Sequence, residues 1–243
     1  MRIGIYSAAI TLLCLGSISA PCQLASGGHF ATFKELLRER GVELSEPSLV
    51  AALKNPDSHV RYLAALVLAE DKASDAMPAI ADALYAEKVP ETRANIALAL
   101  AQLGDEKGFV TLESTCAKSE TAAYLRLYAA KYLLDLHRGS CLTPAIAIIQ
   151  SNADIGSRVL ALSLLPRFQK VLPGDSLNIS DVSVKALNDT QPEMRRAAGD
   201  TLRQLGDVAA IPDLQRVIAS EKDEGVRSRL QSDLQSLELK ERH

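Results

Sequence analysis

Tryptophan is absent from this chain, and aromatic residues of every kind make up only 4% of its 243 positions. Nucleobases would find little to stack on. An excess of positive charge is also missing. Against 27 Lys and Arg stand 30 Asp and Glu, a formal net charge of −3 spread along the chain, which argues against a nucleic-acid surface. Cysteine is sparse: Cys14, Cys22, Cys116 and Cys141 contain no C-x-x-C pair, which excludes a zinc knuckle and a thioredoxin-like redox motif. The four histidines, His29, His59, His137 and His243, never share a helix at ligand spacing. No glycine-rich phosphate loop occurs either. The sequence therefore implies no cofactor, no metal and no nucleic-acid partner.

Long apolar runs are lacking except at the start. Arg2 precedes an apolar stretch from Ile3 to Ile18, followed by small residues at Ser19, Ala20 and Ala25. This order predicts a secretory signal peptide over residues 1–25, and with it an exported (periplasmic or secreted) protein with no other membrane attachment. A retained anchor is the rival reading, because the run is close to the shortest that can span a bilayer.

Apolar residues are plentiful, at 47%, with Ala and Leu prominent among them, a composition that suits close-packed helices better than strands. Their spacing is periodic. PETRANIALALAQLGD (90–105) and PEMRRAAGDTLRQLGD (192–207) share their opening and closing residues. Aligning their arginines reveals a column: Arg61, Arg93, Arg126, Arg158, Arg195 and Arg227. Seven residues after each stands a leucine: Leu68, Leu100, Leu133, Leu165, Leu202 and Leu234. Offsets three and ten are apolar with few exceptions, and offsets of three, seven and ten share one helical face. A shorter amphipathic segment precedes each of these helices. Six helix pairs at a fixed period predict an all-α solenoid over residues 45–239.

The stretches DSHVRYLAALVLAE (57–70), PETRANIALALAQLGD and PEMRRAAGDTLRQLGD resemble HEAT repeats of the short phycobilisome-lyase type. The resemblance covers nearly all of the chain beyond the leader. It implies antiparallel helix pairs (helix A, then the longer helix B); the family's namesake activity, phycobilin lyase, fits poorly with an export signal. Residues 29–44 read as an N-terminal capping helix, and the longest arginine spacing predicts a loop insertion at 169–180, outside the core. The His-Glu dipeptides required by di-iron hydroxylases of HEAT architecture are absent. GDSL (174–177) spells a serine-hydrolase motif, but it has no D-x-x-H partner and lies between helices.

The arginine column reads as structural, bonding loop carbonyls or carboxylates of its own or the adjacent unit, with Asp57, Glu91, Glu120, Asp154, Asp189 and Asp223 as nearby acids. On the opposite side of helix B, Tyr62, Leu66, Leu98, Leu127, Lys131 and Val159 are the candidate partner-binding residues. Tighter curvature, which would bury them, is the competing reading. Cys116 and Cys141 are placed at opposite ends of a helix A, about 10–15 Å apart, and no disulfide between them is expected. The function expected is a non-enzymatic exported scaffold that binds a protein or peptide in its groove. An enzyme or enzyme accessory of the phycobilin-lyase-like group is the alternative.

Overall fold

A computed structural model of the chain describes residues 31–242, apart from the side chains of 175–177. The leader expected at 1–25, with Cys14 and Cys22, lies outside the described residues, as do His29, His243 and the Asp175, Ser176 and Leu177 side chains of GDSL. Among the described residues every regular element is helical. A short helix α1 (Phe33–Glu39) leads into six pairs. They are α2 (Glu46–Ala52) with α3 (Ser58–Glu70), α4 (Met77–Ala86) with α5 (Pro90–Gln102), and α6 (Glu106–Ala117) with α7 (Ala123–Asp135). Then follow α8 (Leu142–Ile149) with α9 (Ile155–Val171), α10 (Ser176–Ala186) with α11 (Pro192–Leu205), and α12 (Ile211–Ser220) with α13 (Glu224–Glu241).

Local chemistry sets these boundaries. The carboxylates of Asp57, Asp105, Asp154 and Asp223 each accept from a backbone N–H of the first turn of the helix that follows. Pro90 and Pro192 open α5 and α11, where a missing N–H costs nothing. Gly206 closes α11 in the left-handed conformation, φ +67°, which suits glycine.

The leucine column forms the spine of the core. Leu68, Leu100, Leu133, Leu165 and Leu202 are fully buried, while Leu234, in the last described helix, is half-buried. Leu133→Ala is therefore expected to cost about 2–5 kcal/mol. Ser163→Ala, on the exposed side of α9, should cost under about 0.5 kcal/mol. Equal urea midpoints for the two would contradict this packing.

Helices α3, α9, α11 and α13 pack on their neighbours in the B series, whereas successive A helices meet only marginally. The B helices thus line the tighter, inner side of the solenoid. One junction departs from this rule. Between the second and third units, α6 packs hard against α5, and α5 touches α7 only lightly. Glycine makes this possible: a Cβ at Gly108 would lie 2.5 Å from the Ala97 carbonyl oxygen and closer still to the Ala101 amide.

The predicted loop at 169–180 is largely helix. Helix α9 runs on to Val171, a 3-10 turn spans Pro173–Asp175, and α10 starts at Ser176. The extra residues lengthen α9 to 17 residues instead of bulging into solvent. Leu172 packs against Gly139 of the preceding unit, so this segment is tied to the core. Pro166 sits buried within α9, where it cannot donate to the Leu162 carbonyl. The buried Thr201 hydroxyl of α11 lies 3.3 Å from that oxygen and 2.8 Å from the Ala197 carbonyl, so its proton serves both.

Cys116 and Cys141 form a disulfide, with their Cα atoms 6.1 Å apart, contrary to the expectation from the sequence. The separation expected assumed that the chain returns to the start of α6 before helix A of the next unit begins. Instead, residues 138–141 climb along α6. Arg138 lies over the Phe109 ring and pairs with Glu106 at 3.5 Å, and the Ser140 hydroxyl donates to Glu113 at 2.9 Å. Helix α8 is only eight residues long and starts level with the last turn of α6. Cys141 therefore arrives beside Cys116, and both are buried.

Candidate functional site

The arginine column builds a ladder between units, with a different partner from the acids just upstream. The guanidinium of Arg61 donates to both Glu87 carboxylate oxygens, at 2.7 and 3.0 Å, and to the Asn55 and Pro56 carbonyls. Arg195 repeats this with Glu221, at 2.6 and 2.7 Å, and with the Asp189 and Thr190 carbonyls. In both cases the acid stands 26 residues further on, in the A–B turn of the next unit, where its carboxylate also accepts two backbone amides. The Asp189 carboxylate, displaced five places by the longer α9, accepts a single bond from Arg158 and one from the Gln191 amide, while Arg158 also bonds the Ile149 carbonyl. Bidentate pairing, as at Arg61 and Arg195, is geometrically selective as well as strong. The Arg195 hydrogen bond lowers the Glu221 pKa to about 2, against the opposing effect of burial. At Glu87 and Asp189, burial opposes ionisation, but the arginine and backbone hydrogen bonds outweigh it and hold both below the usual range.

Two rungs are missing. The corresponding turn positions for Arg93 and Arg126 are Glu120, which is exposed, and Asn152. Arg126 bonds only the Cys116 carbonyl, and Arg93 is exposed with no hydrogen-bond partner among the described residues. Arg227, in the last unit, turns to the Glu221 carbonyl. The acids Asp57, Asp154 and Asp223 near the arginines serve instead as the helix caps described above.

Of the candidate partner-binding residues, Leu66 and Leu127 are buried, at 4% and 1% exposure, and cannot meet a partner. Close B-helix packing covers them, the competing reading of the sequence. Tyr62, Leu98, Lys131 and Val159 remain half-exposed. A stronger feature lies beside them. Tyr124, Tyr128 and Tyr132 recur every fourth residue on α7, and with Tyr62 of α3 they form an aromatic row on the inner side. Tyr124 and Tyr128 are 43% and 37% exposed and meet edge to face at 6.3 Å. The Tyr132 hydroxyl donates to Asn95 of α5 at 2.9 Å, and the Tyr124 hydroxyl donates to Glu91. Burial, with the neighbouring Tyr128 and Tyr62, pushes the Tyr132 pKa up to about 12, so these hydroxyls act as neutral donors. Lys131 approaches the Tyr132 ring and bonds Asp135 at 3.2 Å, and Asp135 also accepts from Arg167 of α9 at 2.5 Å. The every-fourth spacing of tyrosine was visible in the sequence. It fell outside the offsets on which the candidate face was built.

Further along the inner side the row gives way to charge. Asp200 accepts from Arg203, Arg229 and Gln204 at 2.6–2.8 Å. Asp233 is 1% exposed; one of its oxygens accepts from Arg203 at 3.1 Å, and the other has no hydrogen-bond partner. Burial raises its pKa. A cavity of about 420 Å³ opens beside Leu44, Glu46, Leu49 and Asp71, and one of about 270 Å³ beside Asn188, Arg195 and Glu221. Among the described residues no group of three His, Cys, Asp or Glu side chains is placed to hold a metal ion, and no helix is long and apolar enough to cross a membrane.

Comparison with solved structures gives helical neighbours of low identity. One chain of the CpcE–CpcF complex of phycocyanin lyase from a Nostoc species is 21% identical, the match covering 80% of this chain and 95% of that one, with a TM-score of 0.37. The Escherichia coli protein YibA is 15% identical, covering 87% and 99%, with a TM-score of 0.44. Human deoxyhypusine hydroxylase is 16% identical, covering 85% and 89%, with a TM-score of 0.30. Comparison with curated protein sequences gives no significant match. The family model for HEAT repeats, in contrast, matches residues 46–133 and 142–235, which together take in most of the chain and nearly all of the six helix pairs. With its leucine spine, stacked helix pairs and repeated arginine rungs, this chain belongs to the HEAT-repeat family.

Proposed function

We propose that the protein is an exported, non-enzymatic adaptor whose inner B-helix face binds a protein or peptide segment. The observation that carries this reading is the tyrosine row. Tyrosine offers a large rigid contact area with a polar tip, and it is enriched among the residues that dominate binding energy at interfaces. Tyr124 and Tyr128 expose such area on the side of the solenoid where a ligand would touch several units together. Tyr62, Leu98, Lys131 and Val159 extend the surface on either side.

Two further observations support parts of the reading. Catalysis requires at least two titratable groups converging on an open pocket. In the smaller cavity Arg195 and two backbone amides occupy the Glu221 carboxylate; the larger is lined by Glu46, Asp71, Lys72 and Asp75, of which Asp71 is paired with Lys34. Export is supported by the leader-like N-terminus together with the Cys116–Cys141 disulfide, a bond that persists in oxidising compartments.

The test is selection of a random-peptide display library on the folded protein, followed by affinity measurements on variants. Replacing both Tyr124 and Tyr128 by Ala is expected to weaken selected peptides by roughly thirtyfold or more, the scale of a hot spot of about 2 kcal/mol. Tyr85→Ala, on the outer helix α4, should leave affinity unchanged. Peptides indifferent to the row, or dependent on Tyr85, would overturn the assignment.

A further inference from the structure

The six units are not joined with equal firmness. The first and second share the Arg61–Glu87 rung. The third and fourth share the disulfide and the Arg167–Asp135 pair. The fourth and fifth share Arg158–Asp189, and the fifth and sixth share Arg195–Glu221 together with the Asp200 and Asp233 clusters. Between the second and third there is no rung and no disulfide. The acid in the corresponding turn, Glu120, is exposed, and Arg93 bonds to no side chain among the described residues.

Two features hold this junction. On the outer side, Gly108 brings the α6 backbone against Ala97 and Ala101 of α5. This crossing is a close backbone approach at a single point, with Leu112 of α6 buried beside it. On the inner side, the hydrogen bonds that cross are those of two tyrosine hydroxyls, Tyr124 to Glu91 and Tyr132 to Asn95. Both reach from α7 across the thin α5–α7 contact.

We infer that the solenoid bends at this junction, pivoting on the Gly108 crossing, with the Tyr124 and Tyr132 hydroxyls as the latch that holds it closed. Units one and two form one arm, and units three to six, braced by the disulfide and the charged rungs, form the other. Because the latch residues belong to the aromatic row, the bend changes the width of the inner face where that row lies. A net hydrogen bond is worth a factor of roughly five to ten in a two-state equilibrium, so two of them suffice to set the balance of open and closed forms.

Pulsed electron paramagnetic resonance on the full chain tests this, with Cys14 and Cys22 replaced by Ser and spin labels at introduced cysteines. One pair, His59→Cys with Ser163→Cys, spans the junction, and a second pair, Ser163→Cys with Ser232→Cys, lies within the second arm. The spanning pair should give the broader distance distribution. Tyr124→Phe with Tyr132→Phe keeps both rings but removes both hydroxyls, and should raise the open population roughly tenfold or more. Circular dichroism confirms that each variant is folded before it is measured. A spanning distribution as narrow as the internal one, or one that the double tyrosine substitution does not move, would overturn the inference.

Discussion

Arg195→Met lowers the stability of the fold by about 3–5 kcal/mol, whereas Arg93→Met changes it by less than about 0.5 kcal/mol. The two arginines occupy the same place in their units, so sequence pattern alone would assign them equal weight. Their partners differ. Glu221 is buried and ionised against Arg195, and without the guanidinium it becomes an uncompensated charge in the interior. Arg93 has nothing to lose. The pH dependence follows from the Glu221 pKa, lowered to about 2 from an ordinary value of 4.5. A depressed carboxylate pKa contributes stability that is fully present above the unfolded value and is lost as pH falls toward the folded one. The gap between wild type and Arg195→Met should therefore be widest near neutral pH and shrink between about pH 4.5 and 2. Urea midpoints at pH 7 and pH 3 measure both effects, and coincident midpoints for the two variants would remove the ladder from the account of stability.

Replacing Cys116 and Cys141 together by Ala is expected to cost about 3.5 kcal/mol. That is the chain-entropy value for closing a loop of this length, within the 2–5 kcal/mol typical of native bonds. The cross-link spans 25 residues and joins α6 to the start of α8, so its loss frees the connection that carries the chain from the third unit to the fourth. The partly exposed Arg167–Asp135 pair is the charged contact left there, since Asn152 holds the slot that Glu87 and Glu221 fill elsewhere. Non-reducing mass spectrometry of an alkylated digest should show the linked peptide, and thermal melting should fall in the double variant. Unlinked, alkylated cysteines together with an unchanged melting temperature would show that the bond does not form.

The helix pairs could be read from the sequence because burial recurs with it: a leucine seven residues after every arginine leaves little choice of face. The site was less legible. Position relative to the arginine gives the helix face, but how far that face is covered depends on the spacing of neighbouring helices, which no single helix encodes. Leu66 and Leu127 were misplaced for that reason. The rungs needed a separation of 26 residues, a relation between the start of one helix B and the turn before the next, and the upstream acids masked it by serving as caps. The disulfide depended on where α8 begins. Its start is set by Arg138 and Ser140 following α6 upward, a tertiary path that helical periodicity does not record.

The aromatic row also decides how the molecule can be observed. With no tryptophan in the chain, ultraviolet emission from the folded protein comes from its six tyrosines. Tyr6 lies outside the described residues, and Tyr85 stands 90% exposed on the outer surface. The other four, Tyr62, Tyr124, Tyr128 and Tyr132, share the inner face, and two of them hold the hydroxyl bonds across to α5. The intrinsic fluorescence of the unlabelled protein is thus weighted toward one surface. A partner that settles there changes the surroundings of most of the emitters together, so a simple titration, excited at tyrosine wavelengths, reports occupancy of that face without a dye or a tag.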